Sequence, residues 1–306
     1  MAPSHGGRYD RPVEGLRQRG AAVCVGVAVA IAGATAPSAQ ADLEGTYVAL
    51  GDSYTSAPLV LFPTGLLGCG QSDHNYPHLV AAEIDPAKFR DVSCGSATTD
   101  HLREPQNAPG GGVNPPQFNA LDKSVRLVTM GMGGNDAGIA GTGADCARYG
   151  LSPEGSPCRQ AFTVDGVDLL HRDIDDTEAK VRRAVNGIHR RAPRAEVLLV
   201  GYPAAAPVDG VGCWPLVPVT GLDLKWLDSG LRHLNRVIRR IARKHDARYV
   251  DVYTRTLGHD VCEPPGTRWF EGIVLTSPAF PLHPNAQGEA SMAVSVLRMI
   301  DRIMRP

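Results

Sequence analysis

Short apolar runs and amphipathic stretches alternate along the chain from residue 46 onward. Runs rich in strand-forming residues, with helical patterns between them, are typical of parallel β-α-β units. The clearest helical pattern covers residues 224–241, where aliphatic residues recur every three or four positions and so share one face. We predict strands at Thr46–Leu50, Phe89–Ser93, Arg126–Met130, Glu196–Val200 and Arg248–Val252, and further helices near residues 74–84, 174–192 and 286–303.

The segments between these elements are rich in proline and glycine, and they predict long loops over residues 105–116, 141–160, 203–221 and 254–272. No internal repeat or linker divides the chain, so one folded domain is expected. The arginines of the amphipathic helix fall largely off its apolar face. They form either an ordinary solvated surface or a basic patch, and they are Arg232, Arg236, Arg239, Arg240 and Arg243.

The first 41 residues have the pattern of a secretory signal peptide. Four arginines precede an apolar run over residues 21–36, and Ala39-Gln40-Ala41 matches the small-x-small cleavage pattern. An uncleaved anchor is the alternative, but the run is short and rich in Ala and Gly for a span of about 20 apolar residues. We therefore predict a signal peptide over residues 1–41, a secreted domain over residues 42–306, and no integral membrane segment after cleavage.

Charge and cysteine content narrow the class of protein further. The chain has a formal net charge of −1, and loss of residues 1–41 removes four Arg and two acidic residues, which leaves −3. This balance gives no sign of a nucleic-acid partner.

Cys24 lies in the apolar run, and the six remaining cysteines predict three disulfides in an exported chain, with the pairing open. A zinc site is disfavoured because no C-x-x-C pair occurs, and we expect no metal or cofactor.

Polar clusters follow the predicted strands at the edge where parallel sheets bind ligands. Ser53 follows the first strand, Gly95 the second and Asn135 the third, and His283 precedes the last helix. Serine needs a neighbouring base to act as a nucleophile, and His283 is the best-placed candidate. The backbone N–H groups of Ser53 and Gly95 and the side-chain amide of Asn135 could together stabilise an oxyanion.

These four positions resemble the blocks of the SGNH (GDSL-type) hydrolases, which have a Ser in G-D-S, a Gly, the Asn of G-x-N-D and a C-terminal His. Ser53, Gly95, Asn135 and His283 match them in order through residues 42–306. The resemblance implies a flavodoxin-like three-layer α/β/α sandwich around a five-stranded parallel sheet, and ester hydrolysis through an acyl-enzyme without a cofactor. The G-x-S-x-G motif of α/β-hydrolases is missing around Ser53, which excludes that fold.

The cysteines and the stretch Ala-Leu-Gly-Asp-Ser-Tyr-Thr over residues 49–55 look most like the secreted bacterial lipases and esterases of this family. In that group three disulfides pair in chain order. The resemblance therefore implies disulfides Cys69–Cys94, Cys146–Cys158 and Cys213–Cys262.

One position departs from the family pattern. The family usually has an Asp three residues before the His, to orient the imidazole, and Phe280 occupies that position here. A backbone carbonyl can also accept the Nδ1–H and fix the tautomer. We therefore predict a Ser53–His283 dyad in which the main-chain carbonyl of Phe280 orients His283.

The substrate class is less closely defined by the sequence. The apolar segment 57–62 could line an acyl groove or form a buried wall, and an aromatic content of 6% is low for a sugar site. We expect a monomer that acts on an acyl ester or lipid. The alternatives are a carbohydrate acetyl esterase on the same fold, a phospholipase-type activity, and an inactive secreted binding protein, which the missing Asp suggests.

Overall fold

A parallel five-stranded sheet forms the centre of the fold. Its strands pair in the order β2-β1-β3-β4-β5, and every neighbouring pair is parallel. This is the doubly wound order of flavodoxin-like folds, so the predicted fold class is confirmed. The strands are β1 (Thr46–Gly51), β2 (Lys88–Asp91), β3 (Val125–Gly131), β4 (Glu196–Val200) and β5 (Arg248–Val250).

The helices cover both faces of this sheet. Two of them, α2 and α7, contact each other on one face, and α5 and α6 contact each other on the opposite face. The helices are α1 (Ser53–Ser56), α2 (Tyr76–Ile84), α3 (Ile139–Tyr149), α4 (Pro157–Ala161), α5 (Leu169–Arg191), α6 (Gly221–Lys244) and α7 (Ala286–Met304).

The alternation of side chains along β1 explains why the sheet has a core on each face. Successive residues of a strand point to opposite faces. Val48 and Leu50 belong to the buried cluster that contains the apolar faces of α5 and α6, whereas Tyr47 and Ala49 belong to the cluster that contains α2 and α7. Every residue of β1 is buried. Packing on both faces of the sheet therefore fixes the position of β1 and of the residue that follows it.

The computed structural model describes residues 44–304. The predicted signal peptide over residues 1–41, and its alternative as an uncleaved anchor, lie outside these residues. Within residues 44–304, no helix combines the length and the apolar composition that a membrane crossing needs.

The three predicted disulfides are all present, as Cys69–Cys94, Cys146–Cys158 and Cys213–Cys262. The second joins α3 to α4, two helices in a segment that the sequence predicted to be a loop. That prediction was wrong because α3 has a weak pattern, with glycines and an alanine-rich apolar face, and α4 has only five residues.

Candidate active site

The turn after β1 brings Ser53 to the carboxyl edge of the sheet. Asp52 caps α1 by accepting a hydrogen bond from the backbone N–H of Tyr54 (3.0 Å), and Ser53 is the first residue of that helix. A side chain at Gly51 would collide with the Thr55 side chain, so this tight turn requires glycine. The backbone N–H of Asp52 also donates to the carbonyl of Gly131 at the end of β3 (3.0 Å). The sequence thus fixes Ser53 beside two neighbouring strand ends.

The imidazole of His283 contacts this serine directly. Its Nε2 lies 2.7 Å from Ser53 Oγ, and its Nδ1 lies 2.8 Å from the carbonyl oxygen of Pro281. A carbonyl oxygen only accepts, so Nδ1 carries the proton and Nε2 accepts from the serine hydroxyl. Burial lowers the pKa of His283, and the hydrogen bond to Pro281 opposes that shift. The imidazole is therefore held neutral in the tautomer that a general base needs.

The predicted orienting group, the carbonyl of Phe280, is corrected by this geometry to the carbonyl of Pro281, one residue later. Leu282, between the acceptor and His283, has a φ of 61°, and this left-handed conformation turns the Pro281 carbonyl back towards the ring. The Tyr54 hydroxyl donates to the Leu282 carbonyl (3.0 Å) and fixes this turn. Phe280 instead presents its half-exposed side chain edge-on to the imidazole, with ring centroids 5.3 Å apart.

A buried network that the sequence analysis missed holds the loop of His283. Glu271 is fully buried, and its backbone N–H donates to the carbonyl of His283 (2.9 Å). Its carboxylate accepts from the Asn285 side chain (2.9 Å) and the Thr276 backbone (2.7 Å), and Arg268 lies 3.7 Å away. No sequence motif marks Glu271, because its partners come from a loop whose path the pattern does not specify.

The predicted oxyanion donors are only partly available. The backbone N–H of Gly95 donates to the carbonyl of Cys69 (2.9 Å), because the Cys69–Cys94 disulfide brings the two loops together. Gly95 is buried, and the next residue, Ser96, is exposed with a φ of 60°. Among the hydrogen bonds of residues 44–304, none uses the backbone N–H of Ser96 or of Ser53. The prediction of Gly95 is therefore corrected to Ser96 as the candidate donor from this loop.

Asn135 lies beside the same loop, as expected. Its side-chain amide donates to the carbonyl of Ala97 (3.0 Å), which uses one of its two N–H bonds; the other makes no hydrogen bond within residues 44–304. Asp136 accepts from the backbone N–H (2.9 Å) and hydroxyl (2.7 Å) of Thr99. These bonds join the segment after β3 to the segment after β2 and fix the position of Asn135.

Asp52 has a structural environment rather than a catalytic one. Its carboxylate accepts from the Tyr202 hydroxyl (2.6 Å), and that hydroxyl accepts from the backbone N–H of Gly134 (2.8 Å). Burial raises the pKa of Asp52 to about 7, although the hydrogen bond from Tyr202 opposes the shift. The group is completely enclosed and points away from Ser53 towards β4, so it ties the strand ends together.

An apolar cavity of about 450 Å³ opens beside His283. Its size is within the usual range of small-molecule sites. The walls come from α3, α6 and the loops after β4 and β5, and include Ile139, Ala147, Val217, Leu224, Leu231, Val261 and Phe270.

The segment 57–62, which the sequence offered as a possible acyl groove, does not line this cavity. Ala57 and Val60 are buried against Ala279, whereas Leu59 and Phe62 are largely exposed. The sequence alternative of a buried wall therefore applies to two of these side chains. The cavity itself was not predicted, because its lining residues are scattered over more than a hundred positions of the chain.

Comparison with known proteins agrees with this geometry. Residues 49–290 match the model of the GDSL-like lipase/acylhydrolase family, and the chain belongs to that family. The prediction of a carboxylic ester hydrolase is thereby confirmed at the level of the family.

Several proteins that resemble this chain come from the genus Streptomyces. Lipase 2 of Streptomyces coelicolor is 37% identical over 87% of this chain and 90% of its own. The crystal structure of phospholipase A1 from Streptomyces albidoflavus superposes with a TM-score of 0.68 at 28% identity, covering 84% of this chain and 99% of the other. An extracellular lipase from Streptomyces rimosus gives 0.67 at 26% identity, over 83% and 99%.

Proposed function

We propose that this protein is a secreted lipase or esterase that cleaves fatty acyl esters through a Ser53–His283 dyad and an acyl-enzyme. One observation carries the proposal: Ser53 Oγ lies 2.7 Å from Nε2 of His283, and His283 lines an apolar cavity of about 450 Å³. A nucleophile paired with a neutral base supplies the chemistry. The cavity supplies the preference for an acyl chain.

Acylation begins when Ser53 Oγ attacks the ester carbonyl carbon and His283 Nε2 accepts the hydroxyl proton. The carbonyl of Pro281 stabilises the resulting imidazolium by its dipole, with no full negative charge behind it. The oxyanion accepts hydrogen bonds from the backbone N–H groups of Ser53 and Ser96 and from the free N–H of Asn135. Collapse of the tetrahedral intermediate expels the alcohol, which takes the proton from His283.

Deacylation follows the same path in reverse. Water gives a proton to His283 Nε2 and attacks the acyl-enzyme carbonyl, and the same donors hold the second oxyanion. Ser53 then leaves with the proton and the free acid is released. If Asn135 is one of these donors, Asn135→Ala lowers kcat by about 10²- to 10³-fold. Unchanged kcat in a folded Asn135→Ala protein would remove it from the mechanism.

The apolar cavity favours a fatty acyl ester over a carbohydrate acetate. An acetyl group would leave most of this space unfilled, and a sugar would meet few polar groups in walls made largely of Ala, Val, Leu and Phe. A phospholipid presents the same kind of acyl ester. Similarity to a phospholipase A1 structure gives a specific reason to include phospholipids among the substrates tested.

Two measurements test the proposal. A fluorophosphonate should form a covalent adduct on Ser53, located by peptide mass spectrometry, and Ser53→Ala should abolish it. Absence of the adduct in the wild-type protein would favour an inactive binding protein. A series of p-nitrophenyl esters should show higher kcat/KM for octanoate to dodecanoate than for acetate. Preference for acetate would favour the carbohydrate esterase instead.

Secretion is proposed from the signal-peptide pattern of residues 1–41 and from the three disulfides of the described residues. Disulfides persist in oxidising compartments. The domain that remains, residues 42–306, would be the hydrolase. N-terminal sequencing of the protein from culture medium should begin at Asp42. A chain that stays with the cell and retains its N-terminus would contradict the assignment.

A further inference from the structure

A second concavity of about 910 Å³ runs along β5, the edge strand of the sheet, between the C-terminal halves of α6 and α7. We refer to it as the arginine cleft. It shares no lining residue with the apolar cavity beside His283. Six arginines from three separate elements and one loop line it: Arg239, Arg243, Arg248, Arg255, Arg298 and Arg302.

Most of these guanidinium groups have no protein partner. Arg239 pairs with Asp251 (3.1 Å) and lies over the ring of Tyr249. The guanidinium groups of the other five make no ion pair or hydrogen bond within residues 44–304. Asp246 is the second acidic residue in the lining. The cleft therefore holds six positive and two negative side chains in a chain of net charge −1.

The arginines elsewhere on α6 provide the contrast. Arg232 pairs with Asp228 (2.8 Å), and Arg240 pairs with Glu178 (2.5 Å). These side chains form an ordinary surface with paired charges. Along this one helix, Arg232 and Arg240 outside the cleft are therefore paired with carboxylates, whereas Arg243 inside it is not.

A concave surface lined by one sign of charge concentrates counter-ions of the opposite sign. The guanidinium fork matches the geometry of phosphate oxygens and binds them bidentately. One phosphate needs only two or three such groups, whereas six arginines distributed around one concavity can bind several phosphates of the same chain. A flat lipid surface would not reach into the concavity. The ligand chemistry that fits is a linear chain with repeated phosphate groups.

We propose that the arginine cleft binds a linear phosphate-bearing polyanion. The site is separate from the ester-hydrolysis machinery, because it shares no lining residue with the apolar cavity that His283 lines. For an exported hydrolase, such a site would hold the enzyme on an anionic polymer while its active site stays accessible.

The test measures binding of fluorescently labelled inorganic polyphosphate by anisotropy, with the full-length mature protein. The variant Arg243→Gln/Arg248→Gln/Arg298→Gln removes one unpaired arginine from each of α6, β5 and α7. The control Arg182→Gln/Arg183→Gln/Arg190→Gln removes three exposed arginines from α5 and changes the net charge equally. The cleft variant should bind about tenfold more weakly or worse, the control should match the wild type, and rising salt should weaken wild-type binding.

Hydrolysis of a soluble p-nitrophenyl ester checks that all three proteins are folded, and their rates should be equal. If the triple cleft variant proves unstable, the exposed single variant Arg298→Gln replaces it, with a smaller expected loss of affinity. Three results would overturn the proposal: no polyphosphate binding at physiological salt, an equal loss in the cleft and control variants, or cleft-dependent binding of anionic vesicles without binding of polyphosphate.

Discussion

Filling the apolar cavity should shift the acyl-chain preference towards short esters. Ala147, on α3, lines the cavity and is half-buried, so larger side chains at this position project into space that the acyl chain would occupy. The series Ala147→Val, Ala147→Leu and Ala147→Phe narrows the cavity in steps. It leaves Ser53 and His283 untouched, and hydrolysis of the acetate ester serves as an internal control.

The size of the effect follows from the burial of methylene groups. Each methylene moved from water into an apolar site contributes about 0.8 kcal/mol, or roughly a fourfold change in kcat/KM. Octanoate has four more methylenes than butyrate, so full burial favours it by about 3 kcal/mol, roughly 200-fold, as an upper limit. A phenyl group at residue 147 occupies the space of at least this many methylenes. Ala147→Phe should therefore remove most of the octanoate preference.

The assay is kcat/KM for p-nitrophenyl acetate, butyrate, octanoate and dodecanoate at substrate concentrations below micelle formation. The preference should decline in the order alanine, valine, leucine, phenylalanine, while the acetate value stays nearly constant. A thermal unfolding scan of each variant checks for overpacking. If the octanoate-to-acetate ratio is unchanged in a folded Ala147→Phe protein, the cavity does not hold the acyl chain and the argument is refuted.

Three further predictions follow. Burial lowers the pKa of His283 below the ordinary value of about 6.5. As the pH falls, kcat/KM should therefore stay constant until the pH reaches this lowered pKa, and then decrease as the base becomes protonated. A decrease that already begins above pH 7 would contradict this. Phe280→Ala should keep kcat within several-fold of wild type because the Pro281 carbonyl orients the imidazole, whereas His283→Ala should lose about 10²-fold or more; equal losses would refute the carbonyl account. Replacing Cys69 and Cys94 by serine should lower the free energy of unfolding by about 3 to 4 kcal/mol, because the disulfide closes a loop of 25 residues. At temperatures where the variant is still folded, its kcat should also be lower than that of the wild type. An unchanged kcat would show that this disulfide does not position the neighbouring donors.

The strand pattern predicted the sheet well because buried parallel strands leave short apolar runs that stand out from their surroundings. Both bounds of β4 were predicted correctly, and the predicted start of β5 is also the observed one. The prediction for β2 was shifted by one to two residues, since its side chains are only partly buried. Helix α3 was missed because its apolar face is mostly alanine and it packs against α6 and α4, which local sequence does not reveal.

In the candidate site, too, the sequence predicted some features and not others. The sequence predicted that Ser53 and His283 would meet, and the structure has them in contact, because Ser53 directly follows a strand and His283 directly precedes a helix, both with strong patterns. It did not predict which backbone groups face them. The choice of Ser96 over Gly95 depends on a loop that the Cys69–Cys94 disulfide holds, and the choice of Pro281 over Phe280 depends on a left-handed residue between acceptor and ring.

The Cys213–Cys262 disulfide joins the two segments that carry Val217 and Val261 into the apolar cavity, whereas Ser53 follows β1 and His283 is held by its hydrogen bond from the buried Glu271. The disulfide therefore fixes the walls of the cavity but not the two reacting groups. A protein with the substitutions Cys213→Ser and Cys262→Ser would retain the dyad and the Cys69–Cys94 disulfide but would lose the bond that fixes these walls. Such a preparation would still hydrolyse small test esters, and a screen based on p-nitrophenyl acetate alone would score it as fully active while its selectivity for long chains was gone.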